Sequence, residues 1–170
     1  MDFLNLAKER YSLRTFDGRP LSDGDIEKLL TAANLAPTAK NLQPQRIFVL
    51  KSEEAIRKLN ECTKCGFGCK TAFLICYDKN ESWKRVFDGV DSGYVDSAIV
   101  ATHMMLAATD IGAGTTMVMY YDAEKTKEIF ALPENLVPIC FLVAGYPADD
   151  AVPNERHNLR KNTDDYTYFI

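Results

Sequence analysis

Between Asp91 and Ile111 the chain reads DSGYVDSAIVATHMMLAATDI, and Val95, Ala98, Ile99, Val100, Met104, Met105, Leu106 and Ala108 leave a helix there little polar face. A helix that is apolar all round is a buried one, inside a domain or in an interface between subunits. The rest of the chain has to supply that cover. At 170 residues it fits a single domain spanning 1–170, and a domain of that size buries about two-thirds of its unfolded surface, enough for a core.

The other elements are read from periodicity and punctuation. Leu21 to Ala36 is the clearest helix: Ser22 can cap it, Asp23 and Asp25 follow, and Ile26, Leu29, Leu30 and Ala33 recur at i, i+3, i+4 and i+7 before Pro37 ends it. A weaker amphipathic helix from Asp2 to Lys8 groups Phe3, Leu6 and Ala7. RIFVLK and AFLICY read as buried strands, with a capped helix from Ser52 to Glu61 between them. Gly112 stops the apolar helix; TTMVMYY then suits a strand, Asp122 caps a short helix to Phe130, and ICFLVAGY from Ile139 makes a fourth strand. The polar residues 147–170 show no core face and are expected to lie over a surface, a partner's included. Strands mixed with long helices, one of them wholly apolar, indicate an α+β or three-layer domain that dimerises.

Charge and cysteines narrow the function classes. A net charge of −4 argues against nucleic acid or an anionic membrane as partner, and no apolar run is long enough to span a bilayer. The charged, amphipathic N-terminus is unlike a secretory signal, so a reducing cytoplasm is the expected location. CTKCGFGC carries Cys62, Cys65 and Cys69, but a structural zinc site needs a second ligand pair, and Cys76, Cys140, His103 and His157 stand alone. No metal is expected. GxSxG, HExxH, GxGxxG and P-loop motifs are absent, and GFG and GAG read as turns. A chain without its own acid, base or nucleophile set is better suited to a borrowed cofactor.

Two short stretches point toward one. RYSLR brings Arg10, Ser12 and Arg14 together, and the tail pairs Arg160 with Lys161; guanidinium and hydroxyl groups of this kind fit a phosphate, although solvated surface arginines look the same in sequence. APTAKNLQPQ crowds Thr38, Asn41 and Gln43 into a turn that suits either the polar edge of a planar heterocycle or its own internal hydrogen bonds.

Taken in order, ERYSLRTF, APTAKNLQPQRIFVL, DSAIVATHMMLAATDIGAG, YYDAEKTKEIFALPENLVPICFLVAGYP and RHNLRK resemble the nitroreductase family of FMN-dependent flavoproteins in its short form, over nearly the whole chain. The resemblance implies a three-layer α+β fold with a mostly antiparallel central sheet and a long buried helix. It also implies an intertwined homodimer with two shared flavin sites, each protomer's tail at 147–170 reaching over its partner. FMN would be held non-covalently, with NAD(P)H as reductant.

Position by position, the resemblance assigns Arg10 and Ser12, with Tyr11 beside them, to the phosphate and ribityl end. Arg14 would face the N1 and C2 carbonyl edge, where a cation stabilises reduced flavin. Pro37, Thr38, Ala39 and Asn41 match the segment lining the ring from the other subunit, Met119 and Tyr120 the backbone near N5, and Arg160 and Lys161 the basic pair closing on the phosphate. Tyr11 stands where Arg or His is common, and Ala39 where Ser is frequent. No catalytic side chain is implied: hydride passes from NAD(P)H through flavin N5 to a small flat acceptor, such as a nitroaromatic or quinone, in a ping-pong cycle. A flavin-binding protein of the same fold with a sensing or storage role is the alternative, and the choice of NADH or NADPH stays open. CTKCGFGC would be a variable loop that the family uses for neither FMN nor metal.

Overall fold

A computed structural model describes residues 2–170. Its first helix, α1 (Phe3–Glu9), starts where Asp2 accepts the amides of Leu4 and Asn5, and α2 (Asp23–Asn34) where the Ser22 hydroxyl oxygen accepts the Asp25 amide. A one-turn 3-10 helix (Ala39–Asn41) leads into β1 (Gln45–Leu50), α3 (Glu53–Cys62) and β2 (Thr71–Asp78). Then come α4 (Gly93–Asp110), β3 (Gly114–Val118), α5 (Ala123–Ile129) and β4 (Leu136–Gly145), with 3-10 turns at Glu155–Asn158 and Thr163–Asp165. Ser52 and Asp122 cap α3 and α5 as their positions in the sequence predict.

The strands form one antiparallel sheet in the order β1-β2-β4-β3. Every residue of β2 is buried, which is why AFLICY reads as an unbroken apolar run: α2 and α4 cover one face, and α3 and α5 the other. Alternation sends Phe73, Ile75 and Leu142 to the α2/α4 side and Leu74, Phe141 and Val143 to the α3/α5 side. Each of these large side chains, withdrawn from water, contributes about 1.5–3 kcal/mol before entropy is counted. This is the three-layer α+β arrangement the resemblance implies. Gly93 is demanded by packing at the start of α4, since a Cβ there would lie 2.1 Å from the Tyr77 ring.

Two strand boundaries are corrected. The strand read as TTMVMYY ends at Val118, leaving Met119 and Tyr120 exposed beyond it. The fourth strand begins at Leu136 rather than Ile139 and takes in Pro138, which sits beside the register shift between Ile75 and Cys76, where a ladder tolerates a missing amide. The helix α4 is buried on one side only: Val100, Ala101, Met104 and Ala108 meet the core, while Tyr94 and Val95 are exposed. Tyr94, Val95, Ala98 and Ile99 form an apolar groove of about 430 Å³ along its outer face. Among the described residues, no helix is long and apolar enough to cross a membrane.

Candidate functional site

Past α1 the chain is drawn out along β3. The Leu13 amide donates to the Thr115 carbonyl at 3.0 Å, Ser12 bridges Thr115 in parallel, and the Thr116 hydroxyl donates to the Leu13 carbonyl. Leu13 turns inward, 1% exposed, so Ser12 and Arg14 on either side of it turn outward. Gly114 permits the approach: a Cβ there would stand 2.5 Å from the Leu13 side chain.

Opposite this segment lies the 3-10 turn Glu155–Asn158. His157 Nε2 is 3.1 Å from the Lys8 carbonyl, and its ring meets Tyr11 edge-on at 6.2 Å. Between the two walls is a cleft of about 560 Å³ containing Arg10, Tyr11, Ser12, Arg14, Arg156 and Arg160. Among the described residues, none of the four guanidinium groups has an acidic partner within 4.0 Å, although Glu155 also lines the cleft. Arg14 donates to the Ser12 carbonyl at 3.2 Å, and Arg160 folds back on the carbonyls of His157 and Leu159. Four uncompensated cations and a hydroxyl around one opening make a donor set for an anion with several oxygens.

The amide-rich turn stands apart, in a cleft of about 380 Å³ that Pro37, Thr38 and Ala39 line together with Trp83 and the start of α4. Part of its backbone bonding is internal: Asn41 donates to the Thr38 carbonyl at 2.9 Å and Gln43 to the Thr38 hydroxyl at 3.0 Å. Lys40, Asn41 and Gln43 all have φ between 51 and 55°, left-handed backbone that residues with a Cβ seldom adopt. Asp96, 3% exposed, accepts the Ala39 amide at 2.9 Å and the Ser92 hydroxyl at 2.7 Å.

Met119 and Tyr120 line a third opening, of about 570 Å³, and its other wall is the start of the cysteine loop. The Thr63 hydroxyl donates to the Tyr120 carbonyl at 2.5 Å, and the Asp122 amide donates to the Cys62 carbonyl at 3.1 Å. Further along the loop, the Phe67 ring lies 5.9 Å from the Arg14 guanidinium carbon. The loop read as variable therefore lies against Arg14 and Tyr120, two of the candidate site residues.

Burial pushes the Cys62 thiol up, that of Cys69 to about 11, and those of Cys76 and Cys140 to about 12, so all four are neutral near neutral pH and poor nucleophiles. Among the described residues, no three His, Cys, Asp or Glu side chains are grouped to hold a metal ion.

One chain thus brings Arg10, Tyr11, Ser12, Arg14 and Arg160 into one cleft, with Pro37, Thr38 and Ala39 in a second and Met119 and Tyr120 in a third. Asn41 and Lys161 are exposed and line none of the three. Arg156 and His157 escaped the sequence reading even though RHNLRK contains them; the cue was a second arginine four residues before Arg160.

A family model described as the nitroreductase family matches residues 7–67 and 66–146. An Archaeoglobus fulgidus protein, provisionally named an NADH dehydrogenase/NAD(P)H nitroreductase, is 32% identical over 154 residues, 86% of this chain and 86% of that protein. An NADPH-dependent oxidoreductase of Staphylococcus aureus (strain USA300) is 29% identical over 163 residues, 86% of this chain but 65% of that protein. Among solved structures, a nitroreductase family protein from Clostridium difficile 630 superposes with a TM-score of 0.93 at 38% identity, covering 99% of this chain and 98% of that one. A provisionally named nitroreductase from Exiguobacterium sibiricum 255-15, solved in complex with FMN, shares the fold with a TM-score of 0.86 at 22% identity, over 100% of this chain and 98% of that one.

Proposed function

Because the chain belongs to the nitroreductase family, we propose that it is an FMN-dependent NAD(P)H oxidoreductase acting on small flat acceptors, nitroaromatics and quinones among them. The observation that carries this reading is the cleft that Ser12 lines with Arg10, Arg14, Arg156 and Arg160, none of which, among the described residues, has an acidic partner within 4.0 Å. Its donors fit the terminal phosphate of FMN: bidentate guanidinium bonds from Arg10, a hydroxyl bond from Ser12, and Tyr11 packed alongside. Arg160, now bonded to its own backbone carbonyls, and Lys161 beside it would add further cations for the same phosphate.

Arg14 lines the cleft between the Ser12 carbonyl and the Phe67 ring, where its charge would favour electron density at the N1 and C2 carbonyl edge. The backbone at Met119 and Tyr120, where the Thr63 hydroxyl donates to the Tyr120 carbonyl, would hold the ring near N5. The turn of Pro37, Thr38, Ala39 and Asn41 lines the ring from a second subunit. That arrangement accounts for a turn in a cleft of its own, and it uses the open apolar groove of α4 as the surface between copies. FMN, when bound, would supply the redox chemistry between NAD(P)H and the acceptor. The side chains bind, orient and bias, and none needs to act as a general acid or base.

The test is the visible spectrum of the purified protein with FMN added, before and after NAD(P)H in the absence of oxygen, followed by turnover with a nitroaromatic and a quinone. A bound flavin spectrum that bleaches, then steady NAD(P)H oxidation, is the expected result. A protein that leaves the FMN spectrum unchanged would sink the reading; bleaching without turnover would make the chain a flavin-binding protein that is not a reductase.

A further inference from the structure

The turn after α2 is held in a conformation its residues do not favour. Lys40, Asn41 and Gln43 have φ of 52, 55 and 51°, and none is a glycine. Backbone of this kind persists only where its surroundings over-determine it. One restraint is internal, the Thr38 hydroxyl accepting the Gln43 amide at 3.0 Å. The other comes from outside: Asp96, in the first turn of α4, accepts the Ala39 amide at 2.9 Å.

Asp96 is itself an unusual residue to find there. It is 3% exposed and, among the described residues, has no Lys, Arg or His nitrogen within 4.0 Å. A carboxylate withdrawn from water without a cation is destabilising unless hydrogen bonds and dipoles compensate it. Here one oxygen takes the Ala39 amide, the other takes the Ser92 hydroxyl at 2.7 Å, and the N-terminal end of α4 favours the negative charge. The carboxylate is thereby fixed on a helix whose next turns are anchored in the core by Val100, Ala101 and Met104.

We propose that Asp96 is a positioning residue that preassembles the turn Pro37–Asn41 for FMN, by holding the Ala39 amide against the start of α4. The proposal rests on the reading of that turn as flavin-lining. The Ala39 amide is committed to Asp96 and the Asn41, Leu42 and Gln43 amides to Thr38 and Ala39, so these amides face inward. What the turn offers a planar ligand is the exposed side chains of Lys40 and Asn41 and the surface of Pro37.

Asp96→Ala, Asp96→Asn and Ser92→Ala test this with two readouts: hydrogen exchange of amides 39–43 in the flavin-free protein, and FMN affinity from quenching of flavin fluorescence. Losing one charge-assisted hydrogen bond should speed exchange in the turn and weaken FMN binding about tenfold each in Asp96→Ala, with amides of β2 and β4 unchanged. Asp96→Asn keeps an acceptor for Ala39 and a donor for Ser92, and should stay within about threefold of the parent in both. Ser92→Ala should fall between them.

Parent-like exchange and affinity in Asp96→Ala would overturn the proposal. So would an Asp96→Asn protein as impaired as Asp96→Ala, because hydrogen-bond acceptance would then not be what matters. If Asp96→Ala does not fold, unchanged exchange at residues 39–43 in Ser92→Ala overturns it instead. A parent protein that leaves FMN fluorescence unquenched fails the flavin reading separately, and exchange alone then decides whether Asp96 holds the turn.

Discussion

The two walls of the arginine cleft are built differently. Arg10 to Arg14 is laced to β3 through both the amide and the carbonyl of the buried Leu13, the first bonded to the Thr115 carbonyl and the second to the Thr116 hydroxyl, so the groups flanking Leu13 are set by the sheet. Residues 154–160 rest against α1 and the first wall through the His157 contact to the Lys8 carbonyl and the edge of Tyr11, and among the described residues Arg160 is bonded only to its own segment. Charge is equally plentiful on both walls; preorganisation is not. A cation already in place loses little freedom on meeting a phosphate, whereas one on a loosely held segment must first be ordered.

Arginine truncation on each wall would sharpen this contrast most. Arg10→Ala removes a charge-assisted bond from the fixed wall and should weaken FMN binding by about 1.5–3 kcal/mol, roughly ten- to a hundredfold. Arg160→Ala should cost no more than about 1 kcal/mol, as exposed pairs do. Titration of both variants with FMN decides, and equal losses would break the comparison.

Gly114→Ala attacks the fixed wall from beneath. Its Cβ would stand 2.5 Å from the Leu13 side chain, so the wall must lift or β3 must shift, with an expected loss of about 1–3 kcal/mol in urea unfolding. FMN affinity should fall with it, although no charged group is touched.

The smallest effect concerns acid stability. Tyr146, whose carbonyl accepts the Asp17 amide at 3.0 Å just past β4, donates its hydroxyl to Asp25 at 2.6 Å. That bond, followed by those from Lys28 and Ser22, lowers the Asp25 carboxyl to about 2 from an ordinary 3.8. With the folded value below the unfolded one, the contribution is fully present above about pH 4 and is lost as pH falls toward 2. Tyr146→Phe should therefore flatten this limb of the stability profile, measured by denaturant titration between pH 5 and pH 2.

The layers of the fold were legible because they depend on local signals: Ser22, Ser52 and Asp122 cap helices at the residues expected, and AFLICY is apolar throughout because both its faces are covered. The one-sided burial of α4 was not legible, since an apolar helix reads alike whether a neighbouring element or another copy covers it. For the site, RYSLR and Arg160 meet in one cleft, but the nearness of the cysteine loop was hidden. Phe67 reaches Arg14, and Thr63 reaches Tyr120, only through tertiary folding across 53 and 57 positions of sequence. Asp96 escaped notice for a similar reason: within α4 it looks like a helix-start acid, and its partner Ala39 lies 57 residues earlier.

The groove that Tyr94, Val95 and Ile99 leave along α4 also bears on how sturdy the protein is. If a second copy covers it, part of the molecule's stability is collected only on association, and mass action makes the melting temperature climb with protein concentration. Dilution would then act on this chain as a mild denaturant.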